Sequence, residues 1–346
     1  MNRIESVEMI RLISIFAVIV IHTTPFLNES SLTGVDIHSV WGVLIKQAST
    51  FAVPFFFIIS GYFWSRKIHD RNQIFFISLR QCKRLLKILL FWSLIYITPY
   101  NFTYTIDYGI IGPFKVLYWN LNDLLSHPFL LLFQGTKGHL WFLMSLIYAV
   151  LLTSYFVHRD KVRFLLILSI AFYIFGLLAK GYAETPLGLK VSFNPRSGPT
   201  YSIIFFITGY LLSKYKPNIN WFYWGGGIFF AGFIIKTIEI YFLWITYHTG
   251  LLEDYLIGTL PIGLGVAMMS ISMHPVLTKI NVIKFSKYTL GIYACHFLFV
   301  DILKPLEKLF SNNVFWELNY PLIVFCLSLL TAYLLNKSKF TNQFVV

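Results

Sequence analysis

The stretch Met9–Leu27, MIRLISIFAVIVIHTTPFL, is apolar over a length that crosses a bilayer, yet it holds an arginine at 11 and a histidine at 22. A spanning α-helix needs about 20 mostly apolar residues. This run reaches that length, and no small-x-small cleavage pattern separates it from the next polar stretch. It reads as a retained first transmembrane helix. Nine further apolar runs follow, at 42–64, 86–104, 139–157, 162–180, 200–213, 221–245, 255–273, 286–303 and 318–336. Of the 346 residues 57% are hydrophobic and 12% charged, and mean hydropathy is +0.67, whereas soluble domains carry about 25% charged residues. The expectation is an all-α, polytopic integral membrane protein of about ten transmembrane helices, with residues 1–346 forming one membrane domain.

Orientation follows from lysine and arginine, which collect in short cytoplasmic loops. Arg66, Lys67, Arg71, Arg80, Lys83, Arg84 and Lys87 lie between the second and third runs, while 28–41 has no lysine or arginine. Arg159, Lys161 and Arg163, then Lys214 and Lys216, then Lys279, Lys284 and Lys287, then Lys337 and Lys339 continue the alternation. Both termini are therefore expected in the cytoplasm. The net charge of +13 reads as this topology signal together with attraction to anionic membrane lipids, not as a nucleic-acid surface. Cys82, Cys295 and Cys326 are too scattered for a disulfide framework or a zinc site, and no metal-ligand cluster, nucleotide-binding glycine loop or repeat stands out.

Arg11 and His22 are eleven residues apart, about 1100° of helical turn, so they share a face with Ile15 and Val18 between them, about 16 Å apart along the axis. Ionisable groups at membrane depth point into a bundle or a water-filled cavity, because lipid does not solvate them. Arg11 is either an anchor paired with Glu8 or a ligand for substrate; His22 is either a structural hydrogen-bonding group or a reactive one. Arg80, Lys83, Arg84 and Lys87 form one helical stripe that serves as a topology signal or as a phosphate contact. Lys236 and Glu239, inside the seventh run, have the i,i+3 spacing of a helical pair.

Four motifs in order resemble the acyltransferase-3 family: Arg11 and His22 with ten residues between them in the first run, FAVPFFFIISGYF at Phe51 to Phe63, GHLWFL at Gly138 to Leu143, and FSKYTLGIYACHFLF at Phe285 to Phe299. The resemblance covers nearly the whole chain. It implies a membrane O-acetyltransferase of the bacterial cytoplasmic membrane. Such an enzyme moves acetyl from cytoplasmic acetyl-CoA to a hydroxyl of a surface polysaccharide, of lipopolysaccharide or of a lipid-linked precursor. No appended esterase-like domain is expected, and self-association into a homo-oligomer stays open. Attack on a thioester needs a base that titrates near neutrality, as histidine does, and by resemblance that base is His22, with His139 as a second polar group at the acceptor hydroxyl. Direct attack and an acyl-histidine intermediate both remain open. The resemblance further places Arg80 and Arg84 on coenzyme A, and Arg11, with its planar guanidinium near the cytoplasmic helix end, suits the phosphates of the same donor. Trp141 is either an interfacial belt residue or the platform for a sugar ring, Tyr293 and His296, with Asp301 farther out, are either substrate-side groups or polar packing, and Ser60 is expected on the substrate side. The loops 105–138 and 181–199, the latter with Arg196, are natural acceptor-binding elements. The rival is a transporter or flippase, for which WGGGIFFAGF at 224–233 would be a helix interruption.

Overall fold

In lipid a backbone satisfies its N–H and C=O groups within helices or a closed barrel, and here the helix prevails. In the computed structural model no strand occurs among the described residues, which are 4–27, 37–278, 281–310 and 313–345. The basic-free segment 28–36 and Lys279 lie outside them. The α-helices are α1 (Glu5–Thr23), α2 (Ile37–Ser49), α3 (Ala52–Lys67), α4 (Ile74–Ile97), α5 (Thr105–Tyr108), α6 (Gly112–Ser126) and α7 (Leu130–Gln134). They continue with α8 (Trp141–His158), α9 (Val162–Gly176), α10 (Pro199–Leu212), α11 (Asn220–Tyr247), α12 (Thr259–Ile271), α13 (Thr289–Phe310) and α14 (Val314–Lys337). Among the described residues eight spans have the length and apolarity to cross a membrane, and α10 and α12 are shorter apolar helices. The ten expected runs all reappear as helix, and the chain is an all-α, polytopic membrane protein.

The differences from expectation have local causes. The run 42–64 is two helices, α2 and α3, separated at Thr50 and Phe51 just ahead of Pro54, a residue well tolerated in a first helical turn. The third run begins a dozen residues early because the basic stripe continues α4 without a break, and Pro99 follows soon after its end at Ile97. Between α4 and α8 the chain folds into α5, α6 and α7 where only loop was expected. Gly109 (φ +65°) and Gly135 (φ +67°) make the turns that L side chains resist. The glycine-rich segment 224–233 lies inside α11, which runs unbroken for 28 residues. An added Cβ at Gly225 would sit 2.6 Å from the Gly265 carbonyl oxygen, so this glycine permits close packing of α11 on α12 and interrupts nothing.

Two compact units partition the chain. The first holds 1–14, 50–85 and 145–284, and within it α10 packs on α3 and α11 on α12. The SGYF motif belongs to this packing. A Cβ on Gly61 would meet the Phe206 carbonyl oxygen at 2.0 Å, and one on Gly209 would meet that of Ile58 at 1.8 Å. Lys236 on α11 is buried and donates to Thr50 Oγ1 at 2.6 Å. Glu239, one turn on, accepts from Tyr182 Oη (2.5 Å) and from the backbone N–H of Ile257 (2.9 Å) and Gly258 (3.3 Å). Lys180 pairs with Glu253 at 2.9 Å, and Arg196 pairs with Asp254.

The second unit holds 15–49, 86–144 and 285–346. Here α13 packs along α14, and the C-terminal turn is pinned from three sides. Trp92 Nε1 donates to the Phe344 oxygen (3.1 Å), the Gly291 N–H donates to the Val345 oxygen (3.1 Å), and Phe91 stacks on Phe344 with ring centroids 4.0 Å apart.

Candidate active site

The last turn of α1 and the middle of α13 bring histidines together inside the second unit. His22 and His296 have ring centroids 5.3 Å apart, and His296 and His139 are 5.0 Å apart. Phe297 packs against both outer members, 4.7 Å from His22 and 4.6 Å from His139. His139 comes from the 3-10 turn Gly138–Leu140, which leads into α8. Sequence separations of more than a hundred residues between the three imidazoles are closed by helix packing alone.

Main-chain carbonyls orient two of the rings. His139 Nε2 lies 3.3 Å from the Ala294 oxygen, and His296 Nδ1 lies 2.6 Å from the Tyr293 oxygen. Tyr96 Oη also donates to the Ala294 oxygen (2.8 Å), and Tyr293 Oη donates to the carbonyl of His139. These bonds close a loop between the turn carrying His139 and the α13 turn carrying His296. One turn farther along α13, Asp301 accepts from Lys137 Nζ at 2.5 Å and from Tyr100 Oη. Lys137 Nζ also lies 5.3 Å from the Phe297 ring centroid. The arrangement is a cluster of two buried imidazoles and the half-buried His22, with a charged, hydrogen-bonded rim.

The first unit holds the other residues the sequence singled out. Arg11 Nη1 meets Glu8 Oε1 at 3.2 Å, with the arginine side chain 36% exposed and the glutamate nearly covered. Arg84 and Lys67 both feel the Arg11 charge, so three cations gather at this end of α1. The Arg80 guanidinium lies 4.6 Å from the Phe76 ring centroid. Ser60 lies on α3 beside Gly61, and Arg196 is tied to Asp254.

With the geometry in hand, sequence comparison supplies the decisive finding: the profile of the family described as "Acyltransferase domain" (Acyl_transf_3) matches residues 4–336. The chain belongs to acyltransferase family 3. Two proteins of Enterococcus faecalis, each named "Amino-acid racemase", are similar to this acyltransferase-3 chain. One is 25% identical over 350 residues, covering 97% of this chain and 46% of that protein. The other is 28% identical over 228 residues, covering 62% of this chain and 28% of that protein. The chain thus spans less than half the length of the curated relatives it matches. No solved structure matches it.

Of the site residues named from the acyltransferase-3 motifs, the second unit unites His22, His139, His296 and Tyr293. Trp141, also in the second unit, is buried at 5% exposure. The sequence reading assigned no role to Lys137, Tyr96 and Tyr100, which complete the rim, nor to Lys67 beside Arg11. A signal for the tyrosines exists: they are an i,i+4 pair at the end of the third apolar run. Lys137 precedes the GHLWFL motif directly.

Proposed function

We propose that this acyltransferase-3 protein is an O-acetyltransferase of the bacterial cytoplasmic membrane. It moves acetyl from cytoplasmic acetyl-CoA to a hydroxyl of a surface polysaccharide or its lipid-linked precursor. The observation that carries this reading is the gathering of His22, His139 and His296 in a chain whose family is acyltransferase. His22 takes the acceptor proton as the acceptor oxygen bonds to the thioester carbon. The carbon–sulfur bond breaks, and the coenzyme A thiolate leaves and recovers a proton from the imidazolium. Arg11, with Lys67 and Arg84 close enough to share its field, supplies a cationic end suited to the phosphates of coenzyme A, to which a guanidinium offers a bidentate contact. α1 carries both Arg11 and His22 without a break.

The test is to incubate the detergent-purified full chain, and membranes of the producing organism that carry its glycans, with labelled acetyl-CoA. Label appearing in alkali-labile esters on a glycan supports the reading. Absence of both coenzyme A release and glycan label, with movement of a labelled glycan precursor across sealed vesicles, supports a transporter instead. The name of the two relatives gives a second reading, an acceptor that bears an amino acid, and label on an amino-acid hydroxyl in the same extract would favour it.

A further inference from the structure

We infer that His139 and His296 are fixed as hydrogen-bond acceptors that hold two O–H groups of the acceptor, so the acceptor is a polyol that presents neighbouring hydroxyls. This rests on the acetyltransferase reading and adds the chemistry of the acceptor subsite. A carbonyl oxygen only accepts, so the ring nitrogen facing it carries the hydrogen. His139 therefore donates through Nε2 to Ala294, and His296 donates through Nδ1 to Tyr293. In a neutral imidazole, the form that a water-free interior favours, the other nitrogen bears a lone pair. Those nitrogens, Nδ1 of His139 and Nε2 of His296, have no hydrogen-bond partner, although the residues are 3% and 0% exposed. Buried polar atoms are ordinarily satisfied, and leaving one unmade costs about 1–3 kcal/mol.

The two rings lie 5.0 Å apart between centroids, a separation on the scale of one small polyol. Neither ring in this tautomer has a hydrogen left for an oxyanion, because its single N–H is engaged by the main chain. Both residues thus recognise O–H donors, and stabilisation of the developing carbonyl charge falls to other groups. Lys137, Asp301 and Tyr100 form the polar rim one turn farther along α13.

The experiment uses the full chain with ring-15N histidine in detergent, and the two resonance sets are assigned with His139→Phe and His296→Phe. The expected spectrum has His139 as the Nε2–H tautomer and His296 as the Nδ1–H tautomer. The opposite tautomer, or a doubly protonated ring near neutral pH, overturns the inference. In membranes of the producing organism, His296→Phe removes the lone pair and should raise the acceptor KM by about tenfold, the value of one hydrogen bond. His296→Gln places an amide oxygen near the Nε2 position and should recover part of that loss. A fall in kcat with the acceptor KM of His296→Phe within twofold of wild type overturns the inference, as does a glutamine variant no better than phenylalanine. Failure of the acetyltransferase reading looks different: wild-type membranes then consume no acetyl-CoA, while the tautomers still read as stated.

Discussion

Position 22 carries the reaction in the proposed mechanism, so its removal should be selective. His22→Ala should leave an inserted, folded protein whose acetyl transfer falls about 10²–10⁴-fold, the usual effect of losing a positioned base. Turnover of labelled acetyl-CoA by the purified variant measures this, and near-normal turnover would assign the base elsewhere in the cluster. Arg11 is harder to judge, because it meets Glu8 at 3.2 Å and an anchor would do the same. Arg11→Ala should raise the acetyl-CoA KM strongly and Arg11→Lys should restore only part, since an ammonium lacks the planar fork. Glu8→Gln separates the roles. If it reproduces the arginine defect with Arg11 intact, the ion pair is what matters and Arg11 is an anchor.

At the scale of elements, close glycine contacts and ion pairs help hold the first unit together. On the α3–α10 contact, Gly61→Ala or Gly209→Ala drives a methyl into a backbone oxygen, at 2.0 or 1.8 Å, where no side chain can yield. Each should cost about 1–3 kcal/mol or more, as overpacking does, and lower the thermal midpoint in detergent. An unchanged midpoint would mean the two helices part more freely than their packing implies. In the loop between α11 and α12, burial alone would raise the Asp254 carboxyl. The Arg196, Lys180 and Lys236 charges and the Arg196 hydrogen bond outweigh that and hold it at about 2. An unfolded aspartate titrates near 3.9, so below about pH 4 the unfolded chain binds the extra proton. The stability from this pair is therefore complete above about pH 4 and disappears as pH falls through about 2. Asp254→Asn should lower stability at neutral pH by about 1–3 kcal/mol, less than the 3–5 of a wholly buried pair. Its midpoint should then decline less than wild type between pH 4 and 2. Parallel declines would show that other carboxylates govern acid unfolding.

For the molecule as a whole, basic-loop counting expects Gln73 on the cytoplasmic side and Glu184 on the outer side. In sealed vesicles of known orientation and a Cys326→Ser background, a cysteine at 73 should react with an impermeant maleimide only from within, and one at 184 only from outside. Reversed labelling would invert the side from which acetyl-CoA enters. The sequence determined by itself that the chain is helical and polytopic and where its apolar runs lie, because hydropathy over about 20 residues reports the cost of burying polar groups in lipid, a local property. It also displayed Arg11, His22, His139 and His296, since an ionisable residue in an apolar run stands out without any knowledge of its neighbours. Only the tertiary structure decided that three of these are one cluster, that Lys67 gathers with Arg11 and Arg84, and that Trp141 is buried. It decided likewise that Gly225 and Gly232 let α11 pack closely on α12 and that the 224–233 segment does not break the helix. The reason is that rotation about a helix axis and the choice of neighbouring helix depend on side-chain packing between segments far apart in sequence, and hydropathy along one segment carries no record of its partner.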